Sequence, residues 1–202
     1  MKQKYFILLG VLLASSASKA QTFSDNFDSY KSGDNLAATS ATWETWSSPN
    51  GGADDVKVSS AKAKSGSNSL YFQSTATNGG PIDLVLPFGG VKNTGTFSLK
   101  MAMNVDAGKN AYFNLQEQTT WGKGYTIDVY FNIDKTLQIN NASAGNLVSV
   151  NYNQGQWFDF ELKINLNTNT WDVYLDAVKV GSFQNATRAI AAMDLFPING
   201  SS

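Results

Sequence analysis

Three stretches of the chain alternate strictly between apolar and polar side chains. They run from Phe97 to Val105, from Thr126 to Ile133 and from Phe158 to Leu166. A two-residue period is the pattern of a β-strand with one buried and one wet face. Shorter strands are predicted between clusters of Gly, Asn and Asp that favour turns; they cover 56–59, 70–74, 82–87, 111–118, 137–140, 147–151, 171–176 and 178–183.

Short strands at regular spacing predict an all-β, antiparallel two-sheet sandwich. The pattern indicates one short helix, over 186–193, where alanines follow Thr187 and Arg188. The longest irregular loop is expected over 43–55. Asn199-Gly200 is a strong hairpin-turn signal, yet no strand follows it in the sequence. We therefore expect a sandwich that lacks its last strand.

The first twenty residues have the layout of a secretion signal. Lys2 and Lys4 precede an apolar run from Tyr5 to Ala14, and small residues lead to Ala20. This predicts cleavage after Ala20 by the secretion machinery, a secreted protein in the medium or at the cell surface, and one domain over 21–202. The apolar run is far shorter than the roughly 20 residues that span a bilayer, so no membrane insertion is expected. A retained amphipathic helix is disfavoured because the run has no polar face.

Charge and composition exclude several classes of function. Removing Lys2, Lys4 and Lys19 with the signal lowers the formal net charge from −1 to −4, and no basic cluster remains. Nucleic-acid binding is therefore not expected. The sequence contains no Cys and no His. This excludes Ser-His-Asp and Cys-His nucleophile systems and His- or Cys-rich zinc sites.

Carboxylates are the remaining candidates for chemistry. Asp159 and Glu161 have the spacing that places two carboxyl groups on one strand face, as glycoside hydrolysis requires, but Lys163 on the same face is typical of solvated charge. Asp25 and Asp28, at the start of the first strand, suit a structural calcium ion that joins the two chain ends. Surface solvation is the alternative for this pair. No catalytic residue is assigned.

Aromatic residues outside the apolar faces suggest a ligand. An exposed ring beside amides and carboxylates is the usual platform for a sugar, although packing in the core is the alternative for each ring. Trp121 lies in a Gly-rich loop and is the strongest candidate. The predicted ligand-binding residues are Trp121, Tyr112, Tyr130, Gln116, Trp43 and Trp46.

Several motifs resemble those of bacterial secreted concanavalin A-like (laminin G-like) jelly-roll domains, which often precede a type IX secretion sorting domain. They are FDSY at 27–30, WETWS at 43–47, SGSNSL at 65–70, LPFGG at 86–90, GQWF at 155–158 and NTWDVYLD at 169–176. The resemblance covers 23–198 and implies a jelly roll, export, and binding more often than catalysis. It also implies a final strand with paired aspartates, which this sequence does not contain. Asp176-Ala177 stands where Asp-Gly is usual, and the Glu-x-Asp-x-x-Glu strand of the related hydrolases is absent.

Together these features predict a non-catalytic extracellular module that binds a polysaccharide or cell-surface glycan, as part of a larger secreted protein. A structural or adhesive domain with no small ligand is the second interpretation. A glycoside hydrolase or polysaccharide lyase that uses Glu161 or a Lys/Tyr pair is the third.

Overall fold

The computed structural model describes residues 23–199, so the predicted signal over 1–20 lies outside the described residues. Within this range the chain is almost entirely β-structure. In chain order the elements are α1 (Leu36–Thr39), β1 (Glu44–Thr45), β2 (Val58–Ser59), β3 (Ser69–Leu70), β4 (Leu84–Lys92), β5 (Thr96–Asn104), β6 (Ala111–Gln116), β7 (Tyr125–Phe131), β8 (Thr136–Asn141), β9 (Gly145–Asn151), β10 (Trp157–Asn165), β11 (Thr170–Leu175), β12 (Val178–Phe183) and β13 (Ile190–Leu195).

These strands form two unequal antiparallel sheets and one small strand pair. The larger sheet has seven strands in the order β1-β4-β13-β6-β7-β8-β9, and the smaller has four in the order β12-β11-β10-β5. The pair β2-β3 stands apart from both sheets. The predicted antiparallel two-sheet jelly-roll sandwich is therefore confirmed.

The core fills the space between the two sheets. Phe160 of β10 packs edge to face against Phe113 of β6 and Phe131 of β7, with ring centroids 5.5 and 5.7 Å apart. All three rings are fully buried. Aromatic side chains bury more apolar area than other residues, so this cluster contributes strongly to stability. Ile133 departs from the predicted pattern because β7 ends at Phe131 and leaves Ile133 exposed in the turn before β8.

The predicted helix over 186–193 is wrong. Residues Ile190–Leu195 instead form β13, which pairs with β4 on one side and β6 on the other. Ala191 and Ala192 are fully enclosed. Alanine has a high intrinsic helix propensity, but tertiary contacts can override it. Here β13 hydrogen-bonds to two neighbouring strands and is buried on both faces, which outweighs that propensity. The short helix α1 precedes the loop expected over 43–55, in a segment for which the sequence pattern predicts no element.

The smaller sheet has an open edge at β5. Within the described part of the chain, β10 is the one strand that pairs with β5. A groove of ≈ 2010 Å³ borders this edge, and β5 and the segment 59–72 supply part of its lining. Ion pairs link Lys62 to Asp106, which follows β5, and Lys64 to Asp159 of β10. The expectation that a last strand is missing from the sandwich stays a prediction.

Candidate functional site

A row of polar side chains crosses the outer face of the larger sheet. Asp194 of β13 lies directly opposite Asn114 of β6, and Asn114 lies opposite Asp128 of β7. Asp128 in turn lies opposite Asn140 of β8. Directly opposed residues in a sheet project from the same face. Their chain neighbours, such as Leu115, are buried in the core, so the row faces away from the smaller sheet.

One end of this row is held by a chain of buried hydrogen bonds. The backbone N–H of Gly122 donates to Gln116 Oε1 at 2.9 Å, and the Gln116 side-chain amide donates to Asn114 Oδ1. The Asn114 amide then donates to Asp194 Oδ2 at 2.6 Å. Gln116 and Asn114 are 0% and 1% exposed, so these bonds satisfy groups that water does not reach.

Asp194 meets a second carboxyl group, that of Asp83, at the end of this chain. The Oδ1 atoms of both residues are buried, and neither has a hydrogen-bond partner among the described residues. Burial and the neighbouring Asp194 raise the pKa of Asp83 to about 9, and burial also raises the pKa of Asp194. Two adjacent buried carboxyl groups cannot both ionise readily, so we infer that the pair holds one proton at neutral pH.

Two tyrosine rings lie beside the polar row. Tyr112 and Tyr130 are directly opposed on β6 and β7, with ring centroids 4.9 Å apart. The Tyr112 hydroxyl donates to Asp128 Oδ1 at 2.6 Å. Burial raises the pKa of both tyrosines, which keeps their hydroxyl groups protonated. Both rings are half-buried, so they combine a fixed position with accessible aromatic surface.

Trp46 and the loop that contains Trp121 border the other side of Gln116. A Cβ atom placed on Gly122 would lie 3.1 Å from Cζ2 of Trp46, and Gly122 has a φ of 73°. Only glycine combines that backbone conformation with so close an approach. Trp121 precedes Gly122 and is half-buried, and Tyr125 at the start of β7 is 40% exposed. The structure thus places predicted residues Gln116, Tyr112 and Tyr130 on one face, with Trp46 and Trp121 at its border.

Trp43 lies apart from this group. It is buried, and its ring centroid lies 6.0 Å from that of Phe23 and 6.1 Å from that of Phe27. Its Nε1 atom donates to Asp25 Oδ2 at 3.1 Å, and the Tyr30 hydroxyl donates to the same oxygen. These contacts give Trp43 a packing role, away from the polar row.

The two aspartates proposed as calcium ligands also accept hydrogen bonds from the protein. Asp28 Oδ1 accepts from the backbone N–H groups of Ser67 and Asn68, at 2.8 and 3.0 Å, and thereby ties the N-terminal segment to the start of β3. Between residues 23 and 199 no group of three or more Asp, Glu, His or Cys residues is placed to hold a metal ion. A calcium ion at Asp25 and Asp28 stays a prediction.

The carboxylates considered for catalysis lie on the outer face of the other sheet. Asp159 of β10 forms an ion pair with Lys100 at 3.0 Å, which lowers the pKa of Asp159. Glu161 accepts a hydrogen bond from Ser98 at 3.2 Å and lies 3.7 Å from the Lys163 amine. This is an arrangement of paired surface charges, of the kind that the position of Lys163 suggested.

Sequence reasoning missed the carboxyl groups at the centre of the site. Asp128 stands at a polar position of a correctly predicted strand and was recoverable from the alternation. Asp194 was hidden by the helix predicted over 186–193, which gave that residue no place in a sheet. Asp83 directly precedes β4, and no sequence motif or alternation around it indicates a functional role.

Comparisons with known proteins support the fold. No family model matches the chain, and no curated protein matches it in sequence. Solved structures do match. A sialidase is 11% identical with a TM-score of 0.53, covering 82% of this chain. The alginate lyase AlgAT5 from Polysaccharide Lyase family 7 is 10% identical with a TM-score of 0.47, covering 87% of this chain and 78% of its own length.

A third match is carbohydrate binding module CBM66 from Bacillus subtilis, at 7% identity and a TM-score of 0.44, covering 63% of this chain and 86% of the module. This chain spans 14% of the length of the sialidase. Among the described residues no helix is long and apolar enough to cross a membrane. At such low identity the likeness concerns architecture: this chain is a jelly-roll β-sandwich.

Proposed function

We propose that this protein is a non-catalytic carbohydrate-binding module whose ligand lies on the outer face of the larger sheet. The observation that carries the proposal is the Tyr112–Tyr130 pair beside the polar row of Asn114, Asp128 and Asn140. Aromatic surface next to fixed hydrogen-bonding groups is the combination that a sugar requires, because a sugar ring has an apolar C–H face and a polar edge of hydroxyl groups.

The arrangement assigns a task to each part of the face. The half-buried ring of Tyr130 supplies a stacking surface, and Gln138 lies directly opposite it on β8. Asp128 and Asn140 supply acceptors and donors for hydroxyl groups. Asn114 is buried and hydrogen-bonded, so its side chain is already fixed before a ligand binds. This limits the conformational entropy lost on binding.

Binding without catalysis agrees with the positions of the carboxyl groups. Asp194 is 4% exposed and already accepts a hydrogen bond from Asn114, so a substrate has little access to it. Glu161 lies on the opposite side of the sandwich in a paired surface cluster. A general acid must reach the glycosidic oxygen directly, and neither Asp194 nor Glu161 is placed to do so for a ligand on the outer face of the larger sheet.

We further propose that the module works outside the cell. The predicted cleavage after Ala20, carried out during passage through the secretion machinery, would leave a domain beginning at Gln21. Polysaccharides and cell-surface glycans are found in that location. The module would then form part of a larger secreted protein and direct it to such a ligand.

A glycan microarray followed by isothermal titration calorimetry on the chain from Gln21 tests this proposal. We expect Tyr130→Ala to weaken binding of the best glycan about tenfold, which corresponds to roughly 1.4 kcal/mol. Tyr174→Ala is the matched control, because Tyr174 lies half-buried on the smaller sheet beneath Lys163. Its substitution should leave binding unchanged.

Two results would contradict the proposal. If no glycan binds, or if the glycan that binds does so equally well to Tyr130→Ala and to Trp121→Ala, the structural or adhesive interpretation replaces it. If the protein releases reducing sugar from a polysaccharide panel, and Glu161→Gln abolishes that release, the protein is an enzyme.

A further inference from the structure

Aspartates are the charged side chains at the outward positions of β13, β6, β7 and β8. Asp128 lies at the centre of the polar row, and Asp194 lies at one end of it beside Asp83. The Asp83–Asp194 pair holds one proton, so it contributes one negative charge. None of the outward positions described for β13, β6, β7 and β8 is Lys or Arg; they are Ala192, Asp194, Tyr112, Asn114, Gln116, Tyr125, Asp128, Tyr130, Thr136, Gln138 and Asn140.

Asp128 is close to any sugar that stacks on the tyrosine pair. It lies two residues from Tyr130 on the same face of β7, a separation of about 6 to 7 Å along a strand. Its Oδ1 atom accepts the Tyr112 hydroxyl at 2.6 Å, which fixes the carboxyl group beside the rings. Substituents of a stacked sugar therefore lie next to this carboxylate.

A ligand with its own negative charge is disfavoured at such a place. A carboxylate or sulfate near Asp128 would meet a like charge without a neighbouring cation from the strands of the face, and the adjacent low-polarity rings weaken solvent screening. A hydroxyl or N-acetyl group meets no such repulsion, and an ammonium group is attracted. Repulsion of unwanted ligands is a common source of specificity.

We propose that the ligand is a glycan whose sugar units carry no acidic group, and that Asp128 excludes uronic-acid, sialic-acid and sulfated sugars from this face. This inference rests on the proposed carbohydrate-binding function and adds the substrate class. Neutral and amino-sugar polymers remain as ligands, with an ammonium group at this position increasing affinity.

Three oligosaccharide probes of equal length test the inference: a chitosan oligomer with free amines, the corresponding N-acetylated chitin oligomer and an oligogalacturonate. Affinities are measured by titration calorimetry at 20 and 200 mM salt for the protein, for Asp128→Asn, and for Asp172→Asn. Asp172→Asn is the control, because it removes the same charge from the smaller sheet, where Asp172 pairs with Lys179 at 2.7 Å.

We expect no measurable binding of oligogalacturonate. At 20 mM salt the amine oligomer should bind more tightly than the N-acetyl oligomer, and the ratio of these two affinities should fall at 200 mM salt. Asp128→Asn should reduce that ratio at least threefold, and Asp172→Asn should leave it within twofold of the original. If an acidic glycan is the tightest ligand, or Asp128→Asn leaves the ratio unchanged, the inference is wrong although the protein binds carbohydrate. If no glycan of any class binds, the proposed function fails as well.

Discussion

Asp194 lies directly opposite Asn114 in the larger sheet, and the Asn114 amide donates a 2.6 Å hydrogen bond to Asp194 Oδ2. That amide is in turn held by Gln116, whose Oε1 accepts the backbone N–H of Gly122. The chain of neutral amides therefore ends on a carboxyl group. Asp83 lies beside that carboxyl group, and the Oδ1 atoms of both residues are buried without a donor from the described residues, so we infer that the pair is stable with one proton bound.

The first prediction concerns the pH dependence of stability. The pKa of Asp83 is raised from 3.8 to about 9, so between these values the folded protein binds a proton that the unfolded chain releases. The free energy of unfolding must then fall as pH rises through that window. Asp83→Asn should flatten the decline in Tm between pH 5 and pH 9 and raise Tm at pH 8 by several degrees.

Thermal unfolding followed by circular dichroism measures this effect. Asp172→Asn is a control of equal charge, because Asp172 is paired with Lys179 on the smaller sheet and its pKa is lowered. It should not flatten the decline. A wild-type Tm that stays constant or increases from pH 5 to pH 9 would show that the carboxyl pair holds no shared proton.

A second prediction concerns the turn between β11 and β12. Leu175 pairs with Val178, so Asp176 and Ala177 form a two-residue hairpin turn, with φ of 49° and 66°. Gly, Asn and Asp tolerate such angles, whereas Ala177 is strained there. Ala177→Gly should stabilise the protein by about 1 kcal/mol, or 2 to 4 °C in Tm.

Ala102→Gly provides the contrast, because Ala102 is exposed in β5 and glycine weakens a strand interior. That variant should unfold at a lower temperature than the parent. Destabilisation by Ala177→Gly would refute the strained turn.

A third prediction concerns the open edge of the smaller sheet. Lys100 projects from β5, the edge strand, and forms an ion pair with Asp159. Charged side chains on edge strands oppose pairing between molecules. Lys100→Val should therefore promote concentration-dependent self-association, measured by size-exclusion chromatography with light scattering. Lys163→Val on the internal strand β10 is the control, and association of both variants to the same extent would argue against an edge effect.

A fourth prediction concerns a buried polar cluster at the ends of β7 and β8. The Asn141 amide donates to Asn185 Oδ1 at 2.7 Å and to the Thr126 carbonyl at 2.9 Å. Asn141→Ala leaves a buried acceptor on Asn185 without this donor, which costs about 1 to 3 kcal/mol. Urea unfolding should show this loss, while Asn146→Ala at an exposed position should fall within about 0.5 kcal/mol of the parent. Equal effects would show that the cluster adds no stability.

The sequence predicts the fold better than the site. Period-two alternation located β5, β7 and β10 to within two residues, because each strand has one buried and one wet face. Register and strand order depend on contacts between distant segments, which alternation does not encode. The strand β13 is buried on both faces and therefore lacks alternation, so its alanines favour a helix when only the sequence is considered.

In the candidate site, too, residues on strands are predicted from the sequence better than residues in loops. Tyr112 and Tyr130 were identified from their polar positions on predicted strands, and the structure places them side by side. Trp43 has an equally polar neighbourhood in sequence, but its ring turns inward against Phe23 and Phe27. The direction of an aromatic ring in a loop depends on tertiary packing, so sequence cannot separate a binding ring from a buried one there.

The central position of β13 has a consequence for synthesis. A chain that emerges N-terminus first makes β4 and β6 long before β13, yet these two strands join the same sheet only through β13. Until Leu195 is available, both strands expose unpaired edges and the hydrophobic core cannot close. Closure of the sandwich is therefore expected to wait for β13, which joins segments far apart in the chain, and until then the nascent domain has an incomplete larger sheet that chaperones can bind.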